Sequence, residues 1–281
     1  MFEFAEINGH RLRYRLQGAG PLVVFGHGLM GNIEQVTPPG LNLDAVHQRV
    51  RLLTYDARGH GQSLGPEDHL QYTWETLGRD MSAFIDHAGE TSAIIGGASM
   101  GAATALWLAV EQPERVKALA ILMPPPLGGP EFQRPDEKNA IAFLDMLSMA
   151  IQATGIERTL EFAKSMPGFA ATPEEAEERA NWLRSQNPLT LMYAIRGLVQ
   201  SQFHHPDDYA RITAPTIVVA HGGDGLHPVR AAELLAEKIP NAELVVSPTP
   251  GYWQANPGEF LALMMDWLER VGAEGETKVG Q

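Results

Sequence analysis

The sequence predicts an α/β fold, a mostly parallel sheet with helices on both faces. Two observations carry that prediction. Six short apolar runs recur along the chain: PLVVFG (21–26), RLLTY (51–55), SAIIGG (92–97), VKALAILM (116–123), PTIVVA (215–220) and AELVVS (242–247). Continuous apolar runs of this length suit strands covered on both faces, as in a parallel sheet. Stretches of helical character fall between them, and strand–helix alternation of this kind gives right-handed crossovers.

The elements follow in order. Residues Phe2–Ile7 and Arg11–Leu16 alternate polar and apolar side chains around Asn8-Gly9, which predicts an edge hairpin. Helices are expected over Thr73–His87, Gly101–Gln112, Arg230–Lys238 and Pro257–Arg270. The last has Asn256 as N-cap, Pro257 at the first helical position and Glu259 three residues after the cap. It sets Phe260, Leu263, Met264, Trp267 and Val271 along one face. Between Pro124 and Pro215 the rhythm breaks, with no convincing strand and helical stretches near 135–154, 156–166, 173–186 and 188–202. A helical insert there would cover the C-terminal edge of the sheet, where such sheets bind ligands. The expected organisation is a core of residues 1–124 and 213–271, an inserted helical cap over 125–212, and a flexible, solvated tail over 272–281.

Bulk properties narrow the function. The chain has 281 residues, enough for one large domain with an insert. Its formal charge of −13 argues against nucleic acid or an anionic membrane surface as partner. The absence of cysteine excludes disulfides, thiolate catalysis and cysteine metal sites, and fits a reducing cytoplasm. The N-terminal residues lack the pattern of a signal peptide, and no run approaches the ~18 apolar residues of a membrane span. A cytoplasmic protein is expected, and no sequence feature specifies an oligomeric state.

The motif that carries chemistry is Gly97-Ala98-Ser99-Met100-Gly101, a G-x-S-x-G pattern between an apolar strand and a helix. In that context Ser99 sits on a sharp, strained turn that projects its hydroxyl from the sheet, and side chains at 97 and 101 would collide. The helix after it directs free N–H groups at the site. In VVFGHGLMGN (23–32) a His-Gly turn follows a strand. The backbone N–H of Leu29, beside that of Met100, can form an oxyanion hole for the charge developing on an attacked carbonyl. YDARGHGQS (55–63) follows the next strand.

Together HGLMG, DARGHGQS, GASMG and the helical insert resemble the α/β-hydrolase superfamily, from about residue 5 to 270. The resemblance implies an eight-stranded, mostly parallel sheet with a cap, and a triad in the order Ser, acid, His. It implies that His27 and His60 brace loops, and that Asp224, in a D-x-x-x-P turn after a strand, is the acid. The family's histidine stands after the last strand, where this chain has Gly251-Tyr252-Trp253, and no histidine follows His227. The expectation is therefore a site with Tyr252 in the base position. Tyrosine, with a reference pKa near ~10, is a weak base, so low activity on unactivated esters follows. His221 and His227 flank Asp224 and either could reach towards Ser99, with His227 expected to be an ordinary loop residue before Pro228.

Three functions stay open on this reading. One is a serine hydrolase of an ester, thioester or lactone of a small to medium apolar acyl compound. Another is a lyase, cyclase or dehydratase with Tyr252 as proton donor, and the third a ligand-binding homologue without turnover. Besides Leu29 and Met100, the expected pocket takes in His27, Gly28, Met123 and Trp253. The partner is a small-molecule carbonyl substrate. No cofactor and no metal is implied, because no dinucleotide fingerprint or credible metal-ligand spacing is present.

Overall fold

The hairpin and the apolar runs assemble into one eight-stranded sheet in the computed structural model, which describes residues 1–34, 41, 43–165, 172–249 and 251–277. The strands are β1 (Glu3–Ile7), β2 (His10–Gln17), β3 (Leu22–Gly26), β4 (Arg51–Tyr55), β5 (Ala93–Ala98), β6 (Val116–Leu122), β7 (Thr216–His221) and β8 (Ala242–Ser247), in the order β1-β2-β4-β3-β5-β6-β7-β8. β1 and β2 pair antiparallel, as do β2 and β4, and every later pairing is parallel. The hairpin turn has positive φ at both Asn8 (49°) and Gly9 (80°), the backbone a tight two-residue connection needs.

Alternation along the central strands divides the core between two faces. Val24, Ile95, Ile121 and Val218 pack with α1 (Trp74–His87), α2 (Met100–Glu111) and α6 (Val229–Lys238). Their neighbours Val23, Ile94, Ala120 and Val219 pack with α8 (Pro257–Thr277) through Phe260, Met264 and Trp267. A period of two thus buries both faces of a sheet whose strands read as unbroken apolar runs.

Between β6 and β7 lie α3 (Pro135–Lys164), α4 (Pro173–Ser185) and α5 (Pro188–Gln200). They share a small core of their own, with Leu147, Ile151, Leu160, Leu183, Leu191 and Ile195, against which Leu29 and Met30 of the sheet domain pack. By length and composition alone α3 over Glu137–Lys164 is apolar enough to cross a membrane, which differs from the sequence expectation. Its backbone, however, is broken at Gly155 (φ 78°, ψ 167°), where the expected helices 135–154 and 156–166 divide. Its buried residues also face this local core, so it reads as two amphipathic helices.

At the other end α8 continues to Thr277, so residues 272–277 are helical where a solvated tail was expected. Ala273, Glu274 and Glu276 are compatible with helix, and each glycine costs only about 1 kcal/mol there. Residues 278–281 of the expected tail, and 166 of the expected helix, lie outside the described residues.

Close packing of α2 onto β3 depends on one missing side chain. A Cβ at Gly101 would overlap the carbonyl of Gly26, whereas one at Gly258 in α8 meets nothing within 4 Å. Gly101→Ala is expected to cost about 3 kcal/mol or more, and Gly258→Ala to be neutral or stabilising by up to about 1 kcal/mol. Urea unfolding of the two variants side by side checks this.

Candidate active site

Ser99 stands between β5 and α2 with φ 51° and ψ −109°, a conformation that costs a non-glycine residue about 1–3 kcal/mol. The turn is over-determined by its surroundings. The Ser99 N–H donates to Leu122 O at 3.0 Å, and the Gly101 N–H to His27 O at 3.0 Å. A Cβ on Gly97 would overlap the backbone of Gly101, so the sharp turn closes only without one. Strand, strained serine and helix thus stand as the G-x-S-x-G pattern predicts.

The loop after β3 is held against this turn by buried polar groups. His27 is fully buried, its Nδ1 lies 2.7 Å from Gly28 O, and its Nε2 lies 3.0 Å from the Ala57 N. These partners fix the tautomer: Nδ1–H donates to the carbonyl and Nε2 accepts from the amide. Buried Asp56 accepts from the Ile33 N–H at 2.7 Å and from the Gln62 N–H at 2.8 Å, joining that loop to the turn after β4. Sequence reading gave Asp56 no role, although its position opening DARGHGQS was a usable signal. Among the described residues the N–H groups of Leu29 and Met100 donate to no protein acceptor, and both residues line a cavity of about 390 Å³ beside Ser99. Met100 opens α2, so the positive end of that helix dipole faces the same place.

The base position is where the structure corrects the sequence reading. His227, not Tyr252, meets the serine: His227 Nε2 lies 2.9 Å from Ser99 Oγ, and His227 Nδ1 lies 2.7 Å from Asp224 Oδ2. Asp224 Oδ1 accepts from the Leu226 N–H at 2.8 Å and the His227 N–H at 3.2 Å, so the carboxylate also closes the turn that carries the histidine. Burial pushes the Asp224 carboxyl up. The hydrogen bond and charge of His227, the Leu226 N–H and the charge of His221 outweigh it and hold the group well below the usual carboxylate range. His221 ends β7 with its Nε2 3.6 Å from Asp224 Oδ2, too far for a hydrogen bond. An anionic Asp224 fixes His227 with Nδ1–H towards itself and Nε2 free to take the proton of Ser99.

Tyr252 lies on α7 (Gly251–Ala255) and has other partners. Its hydroxyl donates to Glu259 Oε2 at 2.6 Å, and that hydrogen bond, with burial and the charge of Glu259, raises its pKa further. A raised pKa is the wrong direction for a base. Glu259 is thereby drawn away from the capping role expected at the start of α8, and the Asn256 side chain donates back to Tyr252 O at 2.9 Å. The pocket also differs from expectation. His27, Gly28, Met123 and Trp253 are not among the lining residues. His27 is consumed in bracing, with its Nδ1 on Gly28 O, and Met123 and Trp253 are sealed in the core shared with α8. The wall is instead built from Leu29, Met100, Leu226 and His227, together with the α5 end and Trp74.

Comparison with known proteins agrees with this fold. A family model described as the alpha/beta hydrolase fold matches residues 21–254. RutD of Azorhizobium caulinodans, whose name proposes a carbamate hydrolase, is 27% identical over 248 residues, covering 83% of this chain and 84% of its own. The proline iminopeptidase PfmaB of Pestalotiopsis fici is 29% identical over 271 residues, covering 87% and 90%. Among solved structures, Est816, described as an N-acyl homoserine lactone degrading enzyme, superposes with a TM-score of 0.70 at 26% identity, covering 93% of this chain and 98% of that one.

The bracing histidines make the site sensitive to acid. Burial lowers the pKa of His27 to about 4, and burial with the nearby His27 lowers that of His60 to about 3. An unfolded histidine titrates near ~6.5, so below that pH the unfolded chain binds protons that the folded chain refuses. Stability therefore falls as pH drops from about 6.5 towards about 4. Melting temperatures across that window are expected to decline, and H60N, which keeps a donor for Arg58 O, to show a shallower decline.

Proposed function

We propose that this chain, which belongs to the α/β-hydrolase fold family, is a serine hydrolase of an ester, thioester or lactone, with Ser99 as nucleophile, His227 as base and Asp224 as acid. The single observation that carries the reading is the continuous hydrogen-bonded line from Asp224 Oδ2 through the His227 imidazole to Ser99 Oγ, at 2.7 and 2.9 Å. Hydrolysis is the coarser conclusion, and the relatives support it: their names attach to carbamates, peptides and lactones, all of which present a carbonyl carbon to attack. The ester-type class is the finer step, and the apolar cavity beside Ser99 favours it.

The chemistry follows from the geometry. Ser99 Oγ attacks the substrate carbonyl while its proton passes to His227 Nε2. The oxyanion that forms faces the N–H groups of Leu29 and Met100 at the head of α2. Collapse of the tetrahedral intermediate expels the leaving group, which takes the proton from His227, and leaves an acyl-serine. A water, deprotonated by the same His227, then releases the acid and restores Ser99. Asp224 stays ionised throughout and stabilises the imidazolium.

The lyase-type and binding-only readings rested on an absent base. With His227 against Ser99, and the Tyr252 hydroxyl on Glu259 instead of in the cavity lining, neither has an observation in its favour. On this reading the chain is a fully equipped hydrolase.

Steady-state hydrolysis of neutral short-chain esters tests the assignment. S99A should fall to background. H227N should lose about 10⁶-fold in kcat, the scale found when an unrelated serine protease loses its histidine. Y252F should stay within about threefold of the parent, and Y252H should gain nothing. Activity that survives in H227N but collapses in Y252F would overturn the assignment.

A further inference from the structure

The cavity beside Ser99 has an unusual charge balance. Among its described lining residues there is no lysine, arginine, aspartate or glutamate, and His227 is the one titratable side chain. The polar groups that remain are neutral: Ser99 and Ser201, with Gln133, Gln200 and Gln202. A carboxylate carried into this space would meet no lysine or arginine among the described lining residues. The chain as a whole, at −13, repels anions at longer range.

Two aromatic rings stand in the wall of the same cavity. Trp74, at the start of α1, stacks on Phe203, just beyond α5, with ring centroids 4.9 Å apart and planes inclined by 28°. Both residues line the cavity, and the Trp74 backbone N–H donates to Ser201 Oγ at 3.0 Å, which ties the α5 end to the start of α1. Leu144 and Ile141 of α3 and Leu198 of α5 close the same space. A stacked pair set in an aliphatic wall favours a flat ring over an alkyl chain of equal length, because ring faces and edges add quadrupole contacts to area burial.

We propose that this cavity selects substrates whose buried portion is an uncharged ring, and rejects those whose buried portion carries a carboxylate. The selection rests on the serine-hydrolase reading of the same site, since it concerns what Ser99 is offered. Rejection has the stronger physical basis, because an unpaired buried carboxylate is costly. Ring preference is the milder effect.

The test uses methyl esters, so that the leaving group brings no ring of its own, with acid release followed by pH-stat titration. Methyl valerate and monomethyl glutarate differ by a terminal methyl against a terminal carboxylate. The valerate is expected to be favoured at least about a hundredfold in kcat/KM. Methyl 3-phenylpropionate should exceed methyl hexanoate by about tenfold. F203A, which leaves the buried Trp74 in place, should bring the phenylpropionate-to-hexanoate ratio of kcat/KM down to about one, whatever it does to the absolute rates. Q133R, which sets a cation in the wall, should raise glutarate turnover relative to valerate. Labelling of Ser99 by a neutral fluorophosphonate separates the two levels. If Ser99 is labelled but glutarate runs within tenfold of valerate, or the ring preference is absent or indifferent to F203A, the selectivity is wrong and the hydrolase stands. If Ser99 is not labelled, the hydrolase reading falls and the selectivity falls with it.

Discussion

The hydrogen bond from His227 Nδ1 to Asp224 Oδ2, 2.7 Å long and spanning three residues of one loop, is the constraint on which the site depends. One oxygen of the carboxylate closes the backbone turn through the N–H groups of Leu226 and His227, and the other sets the imidazole. Acid and base are therefore carried as a single rigid unit after β7, anchored by β7 itself and by the α6 helix that starts at Val229. Sheet order does the rest. Ser99 leaves β5 and Asp224 follows β7, with only β6 between them, and at its end the chain departs into the helical insert. A loop reaching across one strand brings Nε2 to Ser99 Oγ.

Electrostatics on the two sides of the serine are opposite in kind. On the base side a half-buried carboxylate is kept ionised by a histidine ring and a backbone N–H, so charge is retained at a position where imidazolium forms. On the oxyanion side the supporting groups are neutral, since burial keeps His27 and His60 uncharged while His27 holds the loop that presents Leu29. Charged imidazoles there would add donors with nothing to accept them, and the Ala57 N–H would lose its acceptor. Fixed dipoles and N–H groups thus serve the developing negative charge in place of a mobile cation.

The strands were legible from short apolar runs because burial on both faces leaves little room for polar residues, and all six runs appear within a residue or two of their expected ends. Ser99 was legible because strain and glycine spacing leave a local mark. The base was not, because a side chain that reaches across the sheet leaves none. Counting from the final helix points to Tyr252, whereas the chemistry sits 25 positions earlier in a loop whose fold is set by its own aspartate. The available hint was the spacing of Asp224 and His227, which lets one carboxylate hold both the turn and the ring. Glu259 misled in a similar way: its place three residues after Asn256 fits a helix cap, but a nearby phenol hydroxyl competes for the carboxylate and takes it.

The most direct measurement of the central claim is the tautomer of His227, read from the ring nitrogens by ¹⁵N NMR of the resting protein above the range in which imidazole protonates. The account predicts a proton fixed on Nδ1, sheltered from exchange and released in D224N, with Nε2 unprotonated and unchanged by Y252F. A proton on Nε2, or a ring that exchanges freely and ignores the loss of the Asp224 charge, would contradict it.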